Sequence, residues 1–146
     1  MSVRPAAIFT YGTLTFPDVM QAVTGRTFAS LPATLAGYAC RAVRGAVYPG
    51  AVQHAGATTD GVLWQGVDET SLARLDRFEG ELYERREVTV VARDGARHAA
   101  QVYVVRAAHA SRLAPEPWDR ERFAREHLAA YLSRCRAGPA AAEDDG

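Results

Sequence analysis

The sequence predicts an α+β fold built on a mixed or mostly antiparallel sheet. Three observations carry that prediction. Extended apolar or alternating runs occupy 6–11, 61–67, 83–92 and 98–106, the pattern of buried or half-buried strands. Two stretches, 68–78 and 117–136, instead place their apolar residues at helical spacing. The elements also follow one another as strand, short helix, several strands, helix, hairpin, helix. That order lacks the strict strand–helix alternation of a doubly wound parallel sheet.

Each element has a local reason. Ala6 to Tyr11 reads as the first strand. Pro17 to Thr24 reads as a short helix, with proline at its start and Gly25 just past its end. Residues 26–43 are interrupted by Pro32 and Gly37, which predicts two short strands or one bent strand. Tyr48-Pro49-Gly50 is a turn signal, and VQHAGATTD at 52–60 has the composition of a loop. Gly61 to Val67 is a strand in which Gly66 suggests a bulge. Asp68 is placed to cap a helix that runs to about Phe78, with Leu72, Leu75 and Phe78 on its buried face. Gly80 follows as a left-handed stop. Arg86, Val88, Val90 and Ala92 alternate with Glu87, Thr89 and Val91, and Ala100, Val102 and Val104 answer them across the turn Arg93-Asp94-Gly95-Ala96. These two arms form an antiparallel hairpin. Pro117 to Arg136 reads as the longest helix, with Leu128, Tyr131, Leu132 and Cys135 in one stripe. A single domain over 1–136 is expected, and the small, acidic stretch 137–146 is expected to be a disordered tail.

Composition excludes several function classes. A chain of 146 residues buries roughly 70% of its unfolded surface, so its core needs no metal or disulfide. The formal charge is zero, which argues against a nucleic-acid binder. All 17 basic residues are Arg, so no lysine is present to form a Schiff base. Cys40 and Cys135 stand alone, and the four histidines form no HExxH pattern, so no metal site and no cofactor are expected. No stretch has the length of a signal peptide's apolar region or of a membrane span. The expectation is a cytoplasmic protein, monomer or homodimer, that acts on a small molecule and binds neither nucleic acid nor membrane.

Two stretches carry candidate chemistry. The first strand ends abruptly in Tyr11-Gly12-Thr13-Leu14. Gly12 permits a close backbone approach, and successive amides in such a bend can converge on one anionic oxygen. Thr13 and Tyr11 add hydroxyls. The plainer reading is a turn into the next helix. Glu79 follows Phe78 at a helix end. Its position at the edge of the core and at the negative end of the helix dipole favours the protonated carboxyl, as an acid/base catalyst near neutrality requires. The plainer reading is one more surface carboxylate beside Asp76, Glu81, Glu84 and Glu87. Of Arg85 and Arg86, one can meet a carboxylate bidentately; both also fit a solvated edge strand.

Taken together, YGTL at 11–14, AGY and VRGAVYPG within 36–50, GVLW at 61–64 and LDRFEGELYERREVTV at 75–90 resemble the γ-glutamylcyclotransferase-like superfamily, in its AIG2-like branch. The resemblance covers about residues 6–106. It implies a small, mostly antiparallel mixed β-barrel with flanking helices and a cavity beside the first strand. It implies that Tyr11, Gly12, Thr13 and Leu14 bind substrate, that Glu79 is the general acid/base, and that Tyr83 and Arg85 belong to the site. It implies cyclisation of a γ-glutamyl amide to 5-oxoproline with release of an amine. A non-catalytic small-molecule-binding module, or an enzyme that removes a γ-glutamyl group from a biosynthetic intermediate, fits the same residues.

Overall fold

A computed structural model describes residues 5–137. Six strands are present among them: β1 (Ala6–Thr10), β2 (Ala29–Val43), β3 (Pro49–Val67), β4 (Tyr83–Ala92), β5 (Arg97–Val105) and β6 (Leu113–Pro117). The helices are α1 (Pro17–Thr24), α2 (Glu69–Glu79), α3 (Arg120–Glu126) and α4 (Leu128–Ala137). The sheet runs β3-β1-β5-β4-β2-β6, and β2 also pairs with β3. That extra pairing closes β2, β3, β1, β5 and β4 into a five-stranded barrel, with β6 attached outside the ring on β2. The β1–β5 pair is parallel and the other pairs are antiparallel. This is the mixed, mostly antiparallel barrel with flanking helices that the family resemblance implies, built on the mixed sheet that the strand patterns predict.

Strand alternation sorts the apolar residues into two cores. Phe9, Tyr11, Leu35, Leu63, Val90, Val102 and Val104 fill the barrel. Ile8, Trp64, Tyr103 and Val105 point the other way and pack with Val19, Met20, Leu75, Phe78, Phe123 and Tyr131 beneath the helices. Asp68 caps α2 as expected, accepting from Ser71 N at 3.2 Å. The bulge at Gly66 is also present: Ala6 pairs with Val67 but Ile8 with Trp64, so β3 carries one extra residue there.

Several expected boundaries move. Residues 29–43 form one bent strand, with its irregularity at Gly37. The expected loop at 52–60 is instead part of β3, because β2 supplies partners on both sides of it: Tyr38 meets Gln53 and Ala36 meets Thr58. Only the unmatched stretch between, 54–57, bulges outward, which explains its loop-like composition. The turn falls at Arg44-Gly45, where Ala46 N reaches Val43 O. Pro49 opens β3, a position that tolerates its missing N–H. The long C-terminal helix is two helices that meet at His127, whose φ of −129° breaks the first, and its expected start is taken by β6. Asp119 caps α3, accepting from Arg122 N. Ala137, expected to open the tail, belongs to α4; the rest of the expected tail, 138–146, lies outside the described residues.

Candidate active site

The site forms where the two cores meet, at the end of β1. A cavity of about 40 Å³ opens there, room for more than one water-sized group at roughly 10–15 Å³ each. Tyr11, Gly12, Thr13, Leu14, Glu79 and Tyr83 all line it. The two stretches singled out in the sequence, about sixty-five residues apart, therefore share one wall.

Each side chain is placed by its element. After Thr10 the chain leaves β1 through Gly12 and enters a 3-10 turn, Thr13–Thr15. Thr15 closes that turn with its hydroxyl and its amide both on Gly12 O, at 2.6 and 3.0 Å. Arg120 reaches back from α3 to Thr15 Oγ1 at 2.9 Å and stacks over the Phe16 ring. Gly12 has φ −125°, outside the left-handed region. What demands glycine is Pro49: a Cβ on Gly12 would lie 2.6 Å from Pro49 Cγ and 2.8 Å from Cδ. The close backbone approach inferred for this glycine is thus made by another part of the chain.

Pro49 explains why the YPG and YGTL stretches occur together. Its carbonyl accepts from the Tyr83 hydroxyl, and two residues on, Ala51 N donates to Tyr11 Oη at 3.0 Å. Tyr11 in turn donates to Tyr103 O at 2.6 Å. The start of β3 is therefore bonded to the ends of β1 and β4 through two tyrosines. Trp64, of the GVLW stretch, donates to Thr10 Oγ1 at 2.9 Å and fixes the last residue of β1.

Glu79 is the last residue of α2. Gly80 follows with φ 70°, a conformation that L side chains rarely adopt, and turns the chain into a 3-10 segment, Gly80–Leu82, that leads to β4. This sharp exit sets Glu79 and Tyr83 on the same cavity. The surrounding aromatic side chains strip water from the Glu79 carboxyl. Burial first, and the nearby Asp76 carboxylate second, push its pKa up to about 8. The shift has the sign expected from the sequence, but Asp76 supplies the second cause rather than the helix end. Burial and the Glu79 charge also raise Tyr11, Tyr83, Tyr103 and Tyr131, so these phenols stay protonated.

Arg85 stands apart. It pairs with Asp76 at 2.9 Å on the outer face of β4 and does not line the cavity. It reaches the site through Tyr103, its cross-strand partner on β5, and through Asp76, which accepts from Tyr103 Oη at 2.6 Å. Tyr48, Tyr103 and Tyr131 line the cavity without having been singled out as site residues. Tyr103 sits in Val102-Tyr103-Val104, apolar on both strand faces, which signals burial on both sides. Tyr131 sits in the helical stripe, where a phenol reads first as packing. Among the described residues, no group of three or more His, Cys, Asp or Glu is arranged to hold a metal ion, and no helix is long and apolar enough to cross a membrane.

Comparison with known proteins agrees with this architecture. Residues 8–120 match the family model described as gamma-glutamyl cyclotransferase, AIG2-like. AIG2-like protein A of Arabidopsis thaliana is 33% identical over 93 residues, 64% of this chain and 56% of that protein. The match thus spans little more than half of that relative's length. The solution structure of another Arabidopsis thaliana protein, 28% identical, superposes with a TM-score of 0.71 over 91% of this chain and 89% of its own. A structure titled gamma-glutamyl cyclotransferase shares the fold at 19% identity, with a TM-score of 0.61 over 69% of this chain and 66% of its own. With its family match running from β1 into α3, the chain belongs to the AIG2-like gamma-glutamyl cyclotransferase family.

Proposed function

We propose that this chain cyclises a γ-glutamyl amide to 5-oxoproline and releases the amine, with Glu79 as the general acid/base. The observation that supports this best is the Glu79 carboxyl in a tyrosine-lined cavity, with its pKa near 8. A free α-amino group titrates at about 7.7–8.0. Proton transfer between the two is therefore nearly balanced, which suits general acid/base work near neutral pH.

The Glu79 carboxylate takes one proton from the substrate's α-ammonium. The freed nitrogen attacks the side-chain amide carbonyl of the same molecule, forming the new C–N bond and an oxyanion. Collapse of that intermediate breaks the original C–N bond; the leaving nitrogen takes the first proton from Glu79, and the second proton of the attacking nitrogen passes through the regenerated carboxylate to the freed amine, which departs as an ammonium. No water or external reductant enters the balance. The attack is intramolecular, so a cavity that keeps the substrate folded supplies much of the acceleration. The first amides of the 3-10 turn have no acceptor within that turn and are available to the α-carboxylate. Among the described residues no basic side chain lines the cavity, so backbone amides and hydroxyls carry that task.

The test is incubation with a panel of γ-glutamyl amides and isopeptides, with mass detection of 5-oxoproline. The wild type releases it from at least one compound, and Glu79→Gln loses about 10²- to 10⁴-fold in rate while still binding 5-oxoproline. Binding of 5-oxoproline with no turnover of any compound by the wild type would instead indicate the non-catalytic module.

A further inference from the structure

The cavity hydroxyls differ in where their protons go. Tyr11 donates to Tyr103 O, Tyr83 to Pro49 O, Tyr103 to Asp76 Oδ1 and Thr10 to Val62 O. Each of these donors is committed to a fixed acceptor of the protein. Tyr131 stands in the opposite relation. Its oxygen accepts from Thr13 Oγ1 at 3.4 Å, a long contact, and that leaves its own proton to be donated. Its ring is held by an edge contact with Phe78, 6.3 Å between centroids, and another with Phe123 at 5.4 Å. The residue is only 5% exposed. The result is a rigid, neutral donor on the cavity wall that also feels the charge of Glu79.

From this geometry we infer that Tyr131, contributed by α4, is a further catalytic residue whose hydroxyl donates to the oxygen of the reacting amide carbonyl. This rests on the cyclisation proposed above. As the α-nitrogen attacks, that carbonyl oxygen gains negative charge. A preoriented donor in a desolvated site then strengthens its hydrogen bond at the moment of reaction. Tyr131 keeps its proton throughout, so it does not duplicate the role of Glu79. It also lies beyond the segment matched by the family model, which ends at residue 120. The catalytic wall would thus be completed by a helix outside that match.

Tyr131→Phe removes one oxygen and keeps the ring contacts, so the fold is retained. Steady-state kinetics on the compound turned over by the wild type should show kcat lowered by about 10²-fold. KM should change little, since an interaction formed only in the transition state lowers kcat and kcat/KM together. The affinity for 5-oxoproline and the melting temperature should stay near wild type. A variant that keeps kcat within a few-fold, or whose loss lies in KM alone, would overturn the inference while leaving the cyclisation intact. A wild type that turns over none of the panel would overturn both.

Discussion

At pH 7 Glu79 carries its proton in the folded protein and loses it on unfolding. That difference has a direction. The unfolded carboxyl titrates near its ordinary value of 4.5, and the folded one near 8. Between these values the native state binds more protons, so this group lowers stability as pH rises, and its effect levels off above about pH 8. Discounted for solvent at the cavity mouth, the loss should amount to roughly 2–4 kcal/mol. Glu79→Gln removes the buried charge. Urea midpoints measured from pH 5 to 9 should fall less for the variant, which should be the more stable of the two at pH 9. Parallel curves for the two proteins would mean that the carboxyl is ordinarily solvated. Gly12→Val tests the opposite wall. Its Cβ would press on the Pro49 ring, so about 1–3 kcal/mol of stability should be lost together with 5-oxoproline affinity. A folded Gly12→Val protein that binds 5-oxoproline like wild type would reduce the bend to a simple turn.

The elements were legible where a local pattern met one neighbour. The hairpin of β4 and β5 follows from its alternation, because pleating alone decides which side chains face in. The cap at Asp68 and the bulge at Gly66 are likewise local. The misread stretch 52–60 shows the limit: its residues look like a loop, yet β2 pairs with both ends of it, and partners set strand identity as much as composition does. The break at His127 left no proline or glycine to announce it. At the site, Glu79 and the 11–14 bend were visible because each ends an element abruptly, and their role came from the family resemblance. Tyr103 and Tyr131 were not visible as site residues because their partners lie far along the chain. Pro49 was visible only as a turn signal, whereas its ring and carbonyl join three strands. Its neighbour gives a test of that junction. A Cβ on Gly50 would run into Val105 and Leu113, the end of β5 and the start of β6. Gly50→Val should therefore lower the melting temperature and loosen β6. Amide exchange should quicken first at Leu113–Pro117; unchanged exchange there would show that β6 docks without this contact.

In the whole molecule, the barrel is closed by short seams. β1 meets β5 through two residue pairs and β4 meets β2 through two, whereas β2 and β3 pair over most of their length. The cavity lies at the end of β1, against one of those short seams. Its walls come from chain segments far apart: Tyr11 bonds to residue 103 and Thr13 to residue 131, separations of 92 and 118 residues. Such distant contacts place the protein among slow-folding topologies, on the order of milliseconds to seconds. On refolding of a Trp118→Phe variant from urea, the fluorescence of the remaining Trp64 should report the β1–β3 pair, and 5-oxoproline binding should return no earlier than that signal. Binding that recovered first would mean the cavity forms without its barrel. During synthesis the same separations become waiting times. At about 5–20 residues per second, the Thr13 loop would leave the ribosome roughly 6–24 s ahead of Tyr131. For most of that interval, until Val105 completes β5, β1 has an open edge, and the cavity waits for Tyr131 itself. A product stopped shortly before residue 131 would carry all six strands and the Glu79 carboxyl, yet one wall of its pocket would be missing.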